Sequence, residues 1–233
     1  MSKVLIIANA EVVEGKGVIT TSPVTETMVN ALKQAITEDN PQQEIEVLAT
    51  ASLWSNPHQF KNRQDTIFCP LSIQLPYWFN FPNQKVYQAC QKVEDLRRWV
   101  QEEINYTTNS SSYQTLGDLW LPVVLTAKGP LYAEVIREGE VPNFYQQPLD
   151  LDDRVRQPLY FLAHKLLEHL SAPPSVYLLQ FSLLGKEVVF DRLWPFPAAP
   201  ALASLKVQKP NLYSCHWRCV TNQPILDLII SPQ

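Results

Sequence analysis

Lys3-Val4-Leu5-Ile6-Ile7-Ala8 is an unbroken apolar run behind a single lysine, and its reading decides the N-terminal fold. A strand exposed on one face alternates apolar and polar residues. A Val- and Ile-rich run without alternation marks a strand covered on both faces, as in a parallel sheet. Downstream, Ser22-Pro23 opens a helix: the Ser22 hydroxyl suits the cap, Pro23 the first helical position and Glu26 the positive end of the dipole. Val24, Met28, Leu32 and Ala35 recur at helical spacing until Asn40-Pro41 stops the element. Glu44 to Leu48 then alternates, which predicts the second strand of a βαβ unit.

A Pro- and aromatic-rich passage runs from Trp54 to Pro82, followed by helical periodicity from about Asn83 to Asn105. There Val86, Cys90, Val93, Val100 and Ile104 share one stripe that only Arg97 interrupts. The small polar residues Thr107 to Ser112 suit a linker or loop tip. Beyond them the pattern changes. Leu119 to Thr126 and Leu131 to Arg137 flank Lys128-Gly129-Pro130 as strand, turn and strand. A helix begins at Asp152-Asp153 and ends at Pro173-Pro174. Val176 to Leu184 and Glu187 to Leu193 form a hairpin about Gly185-Lys186. Leu212 to Val220 and Ile225 to Ile230 are expected as two further strands. The predicted class is mixed α/β, with an N-terminal βαβ lobe, a long connecting helix and a C-terminal antiparallel sheet carrying one helix. The expected boundaries are 1–106 and 113–233, or one compact domain over 1–233.

With 45% hydrophobic and 18% charged residues over 233 positions, the chain can bury a sizeable core. A formal net charge of −4 and a pI near 5.6 argue against nucleic-acid binding, which draws on a basic stripe. No stretch approaches the roughly 18 apolar residues of a spanning helix. Val4 to Ala8 is too short for a signal-peptide core, so the four cysteines are expected as thiols in the cytoplasm. The chain has 6 glycines, where average usage gives about 16, and 19 prolines, where it gives about 12. Few glycines leave few places where backbone can press against a phosphate.

The local clusters speak mostly for structure. As a strand, Cys215-His216-Trp217-Arg218-Cys219 would hold its thiols about 13 Å apart, too far to share one zinc, so no metal site is expected. His164 and His169 are five apart and do not converge on a helix. His164 and Glu168 form a surface pair, and Asp150, Asp152 and Asp153 cap a helix. Glu14-Gly15-Lys16-Gly17 follows the first strand, where α/β folds bind ligands, but lacks phosphate-loop spacing. No serine sits in a Gly-x-Ser-x-Gly elbow. Two aromatic–proline runs stand out, Pro76-Tyr77-Trp78-Phe79-Asn80-Phe81-Pro82 and Trp194-Pro195-Phe196-Pro197. From them Tyr77, Trp78, Phe79, Trp194 and Phe196 are candidates for contact with a protein partner, since aromatics dominate interface hot spots.

Leu159 to Ala201 resembles the closing segment of the ATP-grasp ligases, in which a helix precedes a strand, a tight turn and a second strand with a proline-rich exit. Leu166-Leu167, Val176-Tyr177-Leu178-Leu179-Gln180-Phe181, Gly185-Lys186 and Val188-Val189-Phe190-Asp191 follow that order. The resemblance implies ATP with magnesium, held by a carboxylate on the first strand and a Glu-x-Asn on the second. The corresponding positions here are Gln180, and Asp191 followed by Leu193, so one carboxylate remains. With Arg192, Gln180 and Asp191 are the ligand-binding candidates; no catalytic residue is assigned. Three functions compete: a non-catalytic accessory or interaction protein without cofactor, a degenerate or divergent ATP-grasp-like ligase, and a small-molecule binding protein. Because no acid–base, nucleophile or metal set survives geometry, the first is favoured, a protein that is not an enzyme and has a protein partner, neither nucleic acid nor membrane; the lost carboxylates oppose the second.

Overall fold

A computed structural model describes residues 3–13, 17–20, 22–55, 65–109 and 116–231. The N-terminal elements are β1 (Lys3–Ala8), β2 (Ala10–Val13), β3 (Gly17–Thr20), α1 (Pro23–Asp39), β4 (Ile45–Ala49), α2 (Thr50–Ser55) and β5 (Thr66–Pro70). As its sequence demands, β1 is the central strand of a parallel sheet ordered β4-β1-β5, and Val4 to Ala8 are fully buried. Ser22 caps α1 by accepting from the Thr25 N–H at 3.2 Å.

The expected long helix is two helices, α3 (Gln84–Gln91) and α4 (Val93–Ile104), because the backbone leaves helical geometry at Lys92 (φ −92°, ψ 66°). The break redirects the chain. On α3, Tyr87 donates its hydroxyl to the Pro70 carbonyl at the end of β5, whereas α4 packs on the C-terminal sheet.

That sheet contains β6 (Thr107–Thr108), β7 (Leu119–Thr126), β8 (Gly129–Tyr132), β9 (Val135–Glu138), β10 (Tyr145–Leu149), β11 (Ser175–Leu184) and β12 (Glu187–Trp194), with α5 (Asp153–His169) between β10 and β11. Its order is β10-β9-β7-β11-β12-β6, with β8 against β7; all pairings are antiparallel except β6 with β12. The strand expected over Leu131 to Arg137 is split between β8 and β9. After β12 come a 3-10 turn (Ala199–Ala203), α6 (Ser204–Val207), β13 (Gln208–Lys209), α7 (Leu212–Val220) and β14 (Ile229–Ile230).

The strand expected at Leu212 to Val220 is therefore a helix, and Ile225 to Ile230 yields only the short β14. Asn211 caps α7, accepting from the N–H groups of Tyr213 and Ser214 at 3.0 Å each. α7 also corrects the expectation of one helix on this sheet. Residues Trp120, Val124, Val176 and Leu178 face a core shared with β1, α1 and α7. Leu121, Tyr177, Leu179 and Phe181, on the other face, pack with residues of α4 and α5.

Candidate functional site

β11 and β12 lose their one-to-one pairing at a single point. Gln180 is opposite Arg192 and Phe181 opposite Phe190, which leaves Asp191 as an extra residue. Such a bulge re-aims a side chain out of the strand's alternation. Arg192 and Gln180 thus share one face, Phe190 and Phe181 the other. The Asp191 side chain, 1% exposed, turns to the 11% exposed Arg97 of α4.

Around Asp191 a continuous polar chain is satisfied link by link. Arg97 Nη2 pairs with Asp191 Oδ1, and Arg97 Nε donates to the Asp191 carbonyl at 3.0 Å. The Gly117 N–H donates to Asp191 Oδ2 at 2.8 Å, and Gln180 Nε2 donates to the Gly117 carbonyl. Trp194 Nε1 donates to Gln180 Oε1 at 2.9 Å. Gly117 lies so close to β11 that a Cβ there would stand 2.6 Å from the Phe181 carbonyl oxygen. Only glycine fits without displacing backbone. The two ligand-binding candidates Asp191 and Gln180 therefore hold one backbone residue between them.

Arg192, the third candidate, points elsewhere. Its guanidinium lies over the Trp194 ring, 5.6 Å from the centroid, and Nε is 3.6 Å from Asp191 Oδ1. That is beyond hydrogen-bond distance, and Nε is buried without a hydrogen-bond partner. Arg192, Leu193 and Trp194 form one wall of a cleft of about 570 Å³. Trp54 and Gln74, on the segments that follow the carboxyl ends of β4 and β5, also line it. α/β sheets bind ligands beyond the carboxyl ends of parallel strands. Gln91 Nε2 fixes the floor by donating to the carbonyls of Ile73 and Leu75 at 2.6 and 3.1 Å.

Arg97 is not among the sequence candidates, although its signal is local: it is the one charge on an otherwise apolar helical stripe, and a charge placed there needs a buried partner. The aromatic candidates separate. Tyr77 is 78% exposed, and Trp78 and Trp194 are half-buried. Phe79 and Phe196 are buried in the core, Phe79 edge-on to Phe68, and have no surface to offer a partner.

Cys215 and Cys219 lie one turn apart on α7, so the 13 Å separation expected of a strand does not apply. Burial pushes both thiols up, Cys219 to about 12, away from the thiolate that metal ligation requires. No group of three or more His, Cys, Asp or Glu among the described residues could hold a metal ion. Glu168 pairs with Lys165 at 2.9 Å. Asp152 caps α5 through the Arg154 N–H, and Asp150 pairs with Arg156. Of the loop after β1, residues 14–16 lie outside the described residues, as do 110–112 of the expected linker.

Magnesium takes about six oxygen ligands in tight octahedral geometry. At the positions the ATP-grasp resemblance points to, both Asp191 oxygens and both ends of the Gln180 amide are already engaged. The residues present do not fit the ion.

No family model matches the sequence. A formate-dependent phosphoribosylglycinamide formyltransferase from Prochlorococcus marinus (strain MIT 9515) is 30% identical over 98 residues, 41% of this chain and 25% of that protein. The enzyme of the same description from Prochlorococcus marinus subsp. pastoris is 29% identical over 108 residues, 45% of this chain and 27% of that protein. The match thus spans about a quarter of these relatives. In solved structures the likeness runs the length of the chain. Glycinamide-RNase-transformylase T from Mycobacterium tuberculosis has a TM-score of 0.68 at 15% identity, over 99% of this chain and 82% of that one. N5-carboxyaminoimidazole ribonucleotide synthetase from Thermotoga maritima has 0.67 at 8%, over 97% and 77%.

The fold is that of the ATP-grasp ligases, and the resemblance first drawn from Leu159 to Ala201 extends through nearly the whole chain. Two readings change with it. The non-catalytic accessory or interaction protein, and the leaning against an enzyme, rest on the lack of an acid–base, nucleophile or metal set that survives geometry. They are overturned by a chain-long likeness to enzymes of one fold, together with sequence relatives that are enzymes as well. No helix among the described residues is long and apolar enough to cross a membrane.

Proposed function

We propose that this protein is a divergent ATP-grasp-like ligase that joins a one-carbon unit to a phosphoribosyl amine. The observation that carries this reading is the cleft walled by Arg192 and Trp194 beyond the carboxyl ends of β4 and β5, in a chain whose whole fold matches such enzymes. The neighbours' names supply the substrate class: a phosphoribosylglycinamide, an aminoimidazole ribonucleotide, and ADP in several complexes. In this chain Arg192 would hold an anionic group of the substrate. Trp54 and Trp194 would exclude water, and the Asp191–Gly117–Gln180 links would keep the hairpin rigid beneath it. Magnesium has no place in this reading, since both Asp191 oxygens and both ends of the Gln180 amide are already engaged. With four buried, unbridged cysteines, we place the protein in the cytoplasm.

The test is ADP formation from ATP by the purified protein with phosphoribosylglycinamide or 5-aminoimidazole ribonucleotide, supplied with formate or bicarbonate. ADP release that requires both the amine and the acid supports the reading. ATP left intact in every combination refutes it.

A further inference from the structure

We infer that the outer edge of β5 is a docking site for an uncharged, extended segment of a partner protein, which joins the N-terminal sheet as a further strand. The site adjoins the amino end of β5, whereas the Arg192 cleft lies beyond the carboxyl ends of β4 and β5. It does not depend on the ligase reading.

The first ground is a row of open backbone groups. In the order β4-β1-β5, the β2–β3 ribbon packs against β4, and no strand among the described residues pairs with the outer side of β5. Every second residue of a strand turns its N–H and C=O to the same neighbour. Asp65 and Leu71 face β1: the Lys3 N–H donates to the Asp65 carbonyl at 3.0 Å, and the Leu71 N–H to the Ile7 carbonyl at 2.7 Å. Ile67 and Cys69 therefore face β1 as well, and Thr66 and Phe68 turn their N–H and C=O groups outward. The row ends at Pro70, whose carbonyl already accepts from the Tyr87 hydroxyl at 2.8 Å.

The second ground is that this edge is unguarded. Sheet edges left in water are blunted by lysines or other charges that repel a further strand. β5 reads Thr-Ile-Phe-Cys-Pro and carries none.

The third ground is the space beside the edge. A cavity of about 370 Å³ adjoins Thr66, Ile67 and Phe68. Pro82, Pro173, Pro174 and Val220 also line it, and none of its lining residues is charged. Proline has no N–H to offer, and the Pro173 carbonyl is taken by the Tyr177 hydroxyl at 2.7 Å. The regularly spaced hydrogen bonds thus come from β5, and only another extended chain matches their spacing. Neutral walls favour a segment without charge, since an unpaired charge is costly to desolvate. A space of this size admits a few residues of such a chain, not the folded edge of a second copy.

The probe is a blocked Val-Thr-Val-Thr-Val-Thr peptide, titrated into the full chain and followed by amide NMR and hydrogen exchange. With peptide bound, the Thr66 and Phe68 amides should shift and exchange at least about tenfold more slowly. The same peptide N-methylated at every residue, which has no donor left, should bind at least about tenfold more weakly, as should one with lysine in place of threonine. Thr66→Lys should weaken binding of the parent peptide by a similar factor with Tm unchanged. No binding of the parent peptide, equal binding of the N-methylated one, shifts confined to the Arg192 cleft, or normal binding by Thr66→Lys would each overturn the inference. Slow exchange at Phe68 that appears with rising protein concentration alone would also overturn it, by assigning the edge to a second copy.

Discussion

Replacing Asp191 with alanine separates two roles for the same carboxylate. A carboxylate kept for a ligand sits uncompensated in the unliganded protein, so its removal leaves stability unchanged or raises it. Asp191 is instead committed to Arg97 Nη2 and the Gly117 N–H. Removing one partner of a buried ion pair costs about 3–5 kcal/mol, because the other charge is left unpaired. Arg97 is 11% exposed and keeps Glu94 at 2.8 Å, which moves the expectation to the low end, about 3 kcal/mol. For a chain of this length that corresponds to a fall in Tm of roughly 6–12 °C. The assay is thermal and urea unfolding of the parent, Asp191→Ala, Arg97→Met and the double variant. The double variant should be more stable than Asp191→Ala, since it removes the orphaned guanidinium. An Asp191→Ala protein as stable as the parent would refute the staple and return Asp191 to the list of free ligands.

Two further outcomes follow from burial. His216 on α7 is enclosed with one ring nitrogen near the Ser175 hydroxyl and the other unpartnered, and burial depresses its pKa from 6.5 to about 4. The unfolded chain therefore holds more protons between those values, so stability is full above about pH 6.5 and falls as pH drops toward 4. At about 1.4 kcal/mol per pH unit the loss reaches about 3 kcal/mol. In urea titrations at stepwise pH, His216→Leu should lack this component; an unchanged pH profile would refute it. Phe79→Ala should cost about 3–5 kcal/mol, as for a buried aromatic, and Tyr77→Ala within about 0.5 kcal/mol. Equal effects in chemical denaturation would contradict the division between core and surface in that loop.

What the sequence determined by itself is what neighbouring residues decide. β1 is legible because every side chain in Val4 to Ala8 needs cover, and the start of α1 because Ser22 and Pro23 serve its first turn directly. The β11–β12 hairpin is legible because its strands adjoin, and it carried the family resemblance. α7 reads as a strand because six of its nine residues are buried, so no polar face exposes a helical period. Its Cys, Trp and Val residues also suit strands. The one local clue was Asn211, placed to cap it.

The site was beyond sequence reading for a different reason. Arg97 meets Asp191 across 94 residues, Gly117 meets Gln180 across 63, and Gly117 meets Asp191 across 74. No local pattern encodes such contacts. The chain specifies a lone charge on an apolar stripe, a glycine and a single surviving carboxylate. Only packing α4 against β12, with a bulge that turns Asp191 aside, makes them partners. The same packing leaves Arg192 over Trp194 with a donor unmet, because the carboxylate one residue away already belongs to Arg97.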